Sequence, residues 1–559
     1  MNETTNDTQK ITLEYNLYDL PTAQHKAGLA GLLLMLESMK MRRMSRIPEF
    51  KFDSTKAIIS ITRESIQTLF DDLYDAEWSE IELSTKRKSK DKQVIEPKRE
   101  ELRDITDQDG KKHKKTYYIY DEYKPKGDFL KSFFPTDSDL WIKLWRDMLW
   151  ETLRGKPTTR GVYKERVDKN PSSVAKNTWD NMNKSSEREK KGEYMTESVV
   201  SSAFIGAQDL NAENIPFQDT VEHIFLLHFW IIASLVFIPR LIKKDKKLKE
   251  YRFEEAGYVL AIPEPSNLEN FIEDAKLLLK SLETEKSGFR PRSALISIPE
   301  ESGLEYIYGL VRSHVIEKEI SNSIISVEVY HIEKQGNNIQ VLATNHIWPD
   351  KQIISDYEIL KKHCYNPLFR SMRIKNLLSK EPWFANMDSL FMQYPLEFFV
   401  HSQGKTPSHI PFFGYDVNKK YSAIKDELNF MKGGETMEEK QTENRLAHLF
   451  HQMVQQYVNR RTEEKSGLKY DVFKNTKDDK GHVIYPQKYL EDREKVCSDA
   501  FLAIRGRHDT EFIEYFTGTI CSVPQFLPEE DFLIVSEALI KQPAIVKTLS
   551  MLALSASSK

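Results

Sequence analysis

The sequence predicts an α+β protein: a mixed α/β N-terminal and middle body, then an all-α C-terminal helical bundle. Three observations carry that expectation. Strand-like alternation and helix-period runs intermix through the first two thirds of the chain. Gly433-Gly434 then interrupts it. Beyond the glycines only helix-period patterns follow, as in "ENRLAHLFHQMVQQYVNRR", which puts Leu446, Leu449, Phe450, Met453, Val454 and Tyr457 on one face. The expected domains are 1–195, an N-terminal α/β domain with a basic hairpin and a polar insertion; 196–430, a middle α/β region with a β-hairpin; and 437–559, a C-terminal helical bundle.

The bulk numbers fit this plan. A chain of 559 residues holds about three domains. With 40% hydrophobic and 30% charged residues it packs a core beneath a charged surface. The net charge of −4 is close to balance, so any affinity for nucleic acid must come from local basic patches. Cys364, Cys497 and Cys521 form no CxxC pair, which argues against a zinc site and a disulfide scaffold and for a reducing, cytoplasmic setting. "MNETTNDTQK" is polar and lacks the apolar core of a signal peptide. No cofactor is expected.

Element by element, "ITLEYNLYDL" alternates like a strand, and "PTAQHKAGLAGLLLMLESMK" reads as a helix with Pro21 at its first position. "AIISIT" reads as a strand and "RESIQTLFDDLYDAEW" as a helix. From Ser84 to Lys115 the chain is polar and basic, an exposed loop or hairpin that returns in the strand "TYYIYDEY". "DSDLWIKLWRDMLWETLRG" is a Trp-rich amphipathic helix, capped by Asp137 or Ser138 and ended by Gly155. Residues 156–193 are polar and breaker-rich, an irregular insertion. Val221–Pro239 reads as a buried core helix; a membrane span is the alternative, with the basic run after it as flank.

A short repeat follows. Ile-Pro-Glu-x-Ser-x-Leu-Glu occurs at Ile262 and again at Ile298, 36 residues on. In each copy an apolar strand should end at proline, and Ser266 or Ser302 should cap a helix with Glu269 or Glu305 completing a capping box. Chance similarity is the alternative. Next, "NSIISVEVYHIEKQGNNIQVLATNHIW" reads as a hairpin with its tip at Gln335-Gly336-Asn337-Asn338, where Gly and Asn tolerate the positive φ of a tight turn.

Catalytic motifs are missing. Gly404-Lys405-Thr406 lacks the earlier glycine of a phosphate loop, since that position is Phe399. His508-Asp509 suggests a metal-dependent nuclease only weakly, and His448 and His451 read as a mixed helix face rather than ligands. The candidates for binding are basic. Lys86, Arg87, Lys88, Lys90 and Lys92, with Lys111, Lys112, Lys114 and Lys115, would form a finger suited to a duplex backbone, against the alternative of a solvated loop. Lys243 and Lys244 belong to a third run, Arg240–Lys249. His25 and Lys26 open a helix whose N–H groups attract anions. Ala23, Ala27, Gly28, Ala30 and Gly31 make a narrow surface that admits another backbone, whether protein or RNA. At the hairpin tip, Gln335, Asn337 and Asn338 can reach base edges and Lys334 a phosphate; a turn chosen for its geometry alone is the alternative.

Tyr18–Met39, "YDLPTAQHKAGLAGLLLMLESM", resembles the opening motif of the large subunits of type I CRISPR interference complexes (Cascade), of the type I-B, Myxococcus-subtype branch. Length and layout agree; the rest of the chain offers no further motif match. The resemblance implies a non-catalytic subunit at the handle end of the CRISPR RNA, beside the handle-binding and backbone subunits. It implies recognition of the protospacer-adjacent motif in target double-stranded DNA, and recruitment of a helicase–nuclease or of transposition proteins, with no membrane involved. It supplies no residue roles.

It also implies a small helical subunit, made in several such systems from an internal start. Lys432-Gly433-Gly434-Glu435 can be encoded AAAGGAGGAGAA, which contains a ribosome-binding sequence shortly before Met437. Gly-Gly is equally what a flexible linker uses.

Overall fold

The computed structural model describes residues 9–87, 93–106, 112–135, 139–190, 195–199, 203–208, 217–245, 251–313, 323–336, 338–401, 410–430, 439–479, 481–523 and 527–558. The chain divides into two compact units. One is Met1–Pro239 with Glu255–Pro349; the other is Arg240–Glu254 with Asp350–Lys559. The expected boundaries at 195/196 and 430/437 do not coincide with this division: 350–430 joins the helical C-terminal part, and the remainder of the expected middle region largely joins 1–195.

In the first unit β1 (Ile11–Asn16) leads into α1 (Ala23–Met41), which Thr22 caps. Pro21 therefore lies just before the cap, not at the first helical position. β2 (Glu49–Phe52) and β3 (Lys56–Ile61) complete an antiparallel sheet in the order β1-β3-β2. α2 (Arg63–Leu73) starts at a Thr62–Ser65 capping box and stops short of Trp78, because β4 (Ala76–Leu83) begins there.

β4, β5 (Arg99–Thr106) and β6 (Lys112–Pro125) form a second antiparallel sheet in the order β4-β6-β5. The segment expected as a basic loop thus contains a strand. β5 escaped the periodicity reading because most of its own residues are charged, with Arg99, Glu100, Glu101, Arg103 and Asp104 leaving no apolar alternation to read.

α3 (Asp139–Met148) continues through a π-helical turn at Leu149–Leu153 and ends at Arg154-Gly155; Asp137 and Ser138 lie outside the described residues. The stretch expected to be irregular folds into α4 (Gly161–Val167) and α5 (Ser173–Glu189). Tyr163 on α4, and Ala175, Trp179 and Met182 on α5, suffice to bury a narrow stripe on each. β7 (Thr196–Ser198) pairs with β8 (Gln218–Thr220).

Val221–Pro239 is buried, but it is not one helix. It forms α6 (Val221–Leu226), α7 (Trp230–Ala233) and the start of β9 (Leu235–Lys244). The turn between the helices presses carbonyls onto α1: a Cβ added at Gly28 would meet Leu226 O at 2.5 Å, and one at Gly31 would meet Phe229 O at 2.1 Å. The narrow surface of α1 receives a protein backbone. No helix among the described residues is long and apolar enough to cross a membrane.

β9 belongs to the central sheet with β10 (Tyr251–Glu255), β11 (Tyr258–Pro265), β14 (Leu295–Ile296), β15 (Ile324–Gln335) and β16 (Asn338–Ile347). Its order is β10-β9-β11-β15-β16, and β14 lies parallel to β9. α8 (Leu268–Ser281), the short ribbon of β12 (Lys286–Ser287) and β13 (Arg290–Pro291), and α9 (Glu301–Ser313) complete the unit. The two repeat copies are β11–α8 and β14–α9, and both of their strands pair with β9. The expected caps differ: Asn267 caps α8, Ser302 lies inside α9, and Pro263 and Pro265 lie within β11.

The second unit contains the end of β9 and nearly all of β10, with α10 (Lys351–His363), α11 (Pro367–Leu378), α12 (Met387–Gln393), α13 (Phe413–Phe430), α14 (Glu439–Ser466), α15 (Tyr470–Phe473), α16 (Gln487–Arg505), α17 (Asp509–Tyr515), α18 (Glu529–Lys541) and α19 (Pro543–Ser557). α19 is buried along most of its length and packs against α13, α14, α16, α17 and α18. The helical bundle therefore begins before the glycines. Tyr421 of α13 donates to Leu549 O at 3.1 Å and stacks on His451 at 4.1 Å, and burial pushes the His451 imidazole down to about 3. Gly433, Gly434 and Met437 lie outside the described residues.

Gly31→Ala should lower stability by about 1–3 kcal/mol, since backbone cannot yield as a side chain can; an unchanged thermal melt would refute the close contact. Acid should also weaken the fold. His228 is buried against the Tyr74 hydroxyl at 2.7 Å, and burial, then Arg154, pushes its imidazole down to about 3. Unfolded, it takes its proton near 6.5. The unfolded state therefore binds more protons between those values, and stability is lost as pH is lowered through that window, by up to about 1.4 kcal/mol per unit. His228→Phe should flatten that slope in pH-dependent denaturant melts.

Candidate nucleic-acid interface

The β15–β16 hairpin closes as its turn chemistry requires. Gln335 pairs with Asn338, and Gly336 has φ +63°. Lys334, Gln335 and Asn338 are exposed; Asn337 lies outside the described residues. The tip is anchored from a distant part of the chain: Lys334 Nζ donates to Gly155 O at 3.3 Å, where the Trp-rich helix ends.

That helix end is tied in turn to the charged sheet. Arg160 donates from Nε to Arg154 O at 2.8 Å and from Nη2 to Trp150 O at 2.7 Å. Its guanidinium lies over the Trp150 ring at 4.0 Å and 3.4 Å from Glu122 on β6. Burial lowers its pKa, against the pull of Glu122. Tyr123, next on β6, meets Trp150 edge-on at 5.5 Å. Hairpin tip, helix end and β6 thus form one neighbourhood. Sequence reasoning missed Arg160 and Trp150, because nothing local marks a cation–π seat between distant segments.

The finger is less basic than its lysine runs suggest. Between Ala76 and Pro125, 13 lysines and arginines stand among 12 aspartates and glutamates. They pair across the sheet: Arg99 with Glu80 at 2.6 Å, Arg103 with Glu82 at 2.9 Å, and Lys98 with Asp121 at 2.7 Å. Hydrogen bonds from Arg99 and Lys98 bring the Glu80 carboxyl down to about 2. Lys86 binds Glu100 at 2.9 Å and lies over Tyr118 at 5.4 Å, while Arg87 is exposed. Toward the far end, Lys114 and Lys115 have no carboxylate partner among the described residues, and Lys112 sits opposite Thr106. Lys88, Lys90, Lys92 and Lys111 lie outside the described residues.

In the third run, Lys243 pairs with Glu254 at 2.9 Å, Lys244 lies over Tyr251 at 5.7 Å, and Arg240 over Phe253 at 4.3 Å. These cations are spent on the β9–β10 ribbon.

The start of α1 is no open anion site. His25 is fully buried, with Nδ1 2.8 Å from Thr22 Oγ1 and Nε2 2.8 Å from Asp219 Oδ2. Asp219 also holds His223 at 2.8 Å. Burial works to raise the Asp219 pKa, but hydrogen bonds from His223, His25 and the Thr220 N–H win and hold it well below the ordinary range. Lys26 donates to Glu264 Oε1 at 2.8 Å, and Glu264 Oε2 accepts from Ser326 at 2.8 Å. Both residues tie α1 to its neighbours.

His508 immediately precedes α17 and Asp509 opens it. Among the described residues no group of three or more His, Cys, Asp or Glu could hold a metal ion.

Family models match nearly the whole chain: the type I-B CRISPR Cas8b N-terminal domain over residues 47–319 and the type I-B CRISPR Cas8b C-terminal domain over residues 324–557. The chain belongs to the Cas8b family of type I-B CRISPR systems. Comparison with curated proteins finds no match. The Cas8b N-terminal match starts after Tyr18–Met39, so the opening motif and the family models are separate lines of agreement. The Cas8b C-terminal match begins where β15 begins, and so includes the hairpin along with the helices.

Lys26→Ala should leave Glu264 without its cation and lower stability by about 1–3 kcal/mol. Nucleic-acid affinity and its salt slope should not change. A Tm equal to that of the unmodified chain, with weakened binding, would return Lys26 to the interface.

Proposed function

We propose that this Cas8b-family chain is the non-catalytic large subunit of a cytoplasmic CRISPR RNA-guided DNA surveillance complex. It recognises the protospacer-adjacent motif in double-stranded DNA, helps the R-loop form, and recruits a helicase–nuclease or transposition proteins. Family membership supports a Cascade component that works with CRISPR RNA and other subunits. The observation that carries the finer reading is the exposed Gln335–Asn338 pair on a hairpin anchored at Gly155, beside the charged sheet.

Gln335, Asn337 and Asn338 offer amides to base edges, and the glycine between them lets the backbone approach a groove. Lys334 has donors left after its bond to Gly155 and can hold a phosphate. In the finger, cross-strand pairs neutralise the base of the sheet. At the far end the charge for a duplex backbone is that of Lys114 and Lys115, joined by Lys111 and Lys112. Replacing Gln335, Asn337 and Asn338 with alanine should reduce discrimination between motif variants by about 1–3 kcal/mol per lost base contact. Replacing the four finger lysines should weaken all DNA alike and flatten the salt slope. Electrophoretic mobility shifts with motif-bearing and scrambled duplexes separate the two effects; unchanged motif preference in the first variant overturns the hairpin assignment.

Internal initiation at Met437 would add a second product, 437–559, as the small helical subunit. Such a product would lack α13, and with it the Tyr421 hydroxyl and ring that cover Leu549 and His451, so it would need another helix over α19. Silent recoding of Gly433 and Gly434 should abolish a short product on immunoblots with a C-terminal tag; an undiminished short band sinks the idea.

A further inference from the structure

α1 stops at a motif usually built on glycine. The Met44 N–H donates to Met39 O at 3.0 Å and the Arg43 N–H to Lys40 O at 3.0 Å. These are the paired bonds of a Schellman stop, whose residue after the cap must be left-handed. That residue is Arg43, with φ +55°, and Arg46 in the same loop is left-handed again at φ +57°. L side chains avoid this region, and glycine enters it freely.

The loop is also exposed and cationic. Arg42 turns inward to Asp72 and Ser38. Lys40, Met41, Arg43 and Arg46 face solvent. Arg46 has Glu64 at 3.3 Å, whereas Lys40 and Arg43 have no carboxylate partner among the described residues. A single cation here has another explanation, since a helix C-terminus attracts positive charge. Lys169 and Lys380 take the same position after α4 and α11, and Lys380 has Asp350 at 3.5 Å. Complementing the helix end does not account for a second left-handed arginine, nor for a cluster of three exposed cations.

We propose that Lys40–Arg46 is a binding site for the phosphodiester backbone of a nucleic acid, with the Arg43 guanidinium as clamp and Lys40 and Arg46 beside it. A planar guanidinium matches two phosphate oxygens at once. The inference rests on the reading that the chain binds nucleic acid, but not on the hairpin or the finger.

The test uses the full chain, a short single-stranded RNA and a short DNA duplex, titrated at several salt concentrations. Arg43→Gly relieves the left-handed backbone, so its Tm should equal or exceed that of the unmodified chain. It should bind at least one probe about three- to ten-fold more weakly at low salt, with a salt slope smaller by about 1. Arg43→Asn, uncharged and tolerant of the same backbone, should lose binding equally. Loss on RNA alone assigns the site to RNA, and loss on the duplex alone to DNA. Unchanged affinity and slope on both probes overturn the proposal while leaving the hairpin reading intact. An unmodified chain that binds neither probe overturns both. Intact binding with impaired assembly onto other subunits also overturns it, placing the loop at a protein interface.

Discussion

The first unit depends on how closely one helix lies to the backbone beside it. α1 is buried nearly throughout, and Gly28 and Gly31 admit the carbonyls of Leu226 and Phe229 where any side chain would collide. The apolar run after Val221 meets α1 as two short helices and a strand. The contact draws the opening of α1 into the interior. A buried charge must be paired, and so Asp219 meets His25 and Glu264 meets Lys26. The features that suggest an anion site in the sequence are those that seat a central helix in the fold.

Charge pairing shapes the outer sheet in the same way. β4, β5 and β6 carry many cations, but Arg99, Arg103 and Lys98 each find a carboxylate across the strands. Exposed pairs of this kind add little stability singly; their larger effect is to remove charge from the field a nucleic acid would meet. Among the described residues between Ala76 and Pro125, Arg87, Lys114, Lys115 and Lys124 have no carboxylate partner, and Lys115 lies over the Tyr117 ring at 5.3 Å. The hairpin tip is held differently, by a lysine on the carbonyl that ends the Trp-rich helix. In the proposed role, a turn held beside its tip needs less ordering on binding than a free loop.

In the second unit α19 plays the central part and α13 covers it. Gly414 lies so close to the Ser555 carbonyl that an added Cβ would come to 2.2 Å, and Tyr421 fills the space against His451. The helical bundle is thus built across the Gly-Gly break. Whatever the glycines do in the messenger RNA, in the folded chain the helices on either side of them belong to one core.

Much of this was legible. The β15–β16 turn, the stop at Gly155, the strands β1 and β3, and the helices beyond Glu439 all follow from interactions within a few residues: a positive φ at glycine, a lost N–H, an apolar face repeating each turn. The opening motif pointed to the family that the matches over 47–319 and 324–557 establish. Other features were not legible. β5 is a strand because β6 supplies a backbone ladder for it and β4 supplies the carboxylates that Arg99 and Arg103 reach. Residues 161–189 are helical because a few apolar residues in each helix find a surface. Val221–Pro239 is broken where its carbonyls pack on two glycines far earlier in the chain. The sequence by itself determined where the backbone turns and which segments favour helix or strand. Only the tertiary structure decided which cations are neutralised, since ion pairing and burial depend on groups that the chain brings together from distant positions.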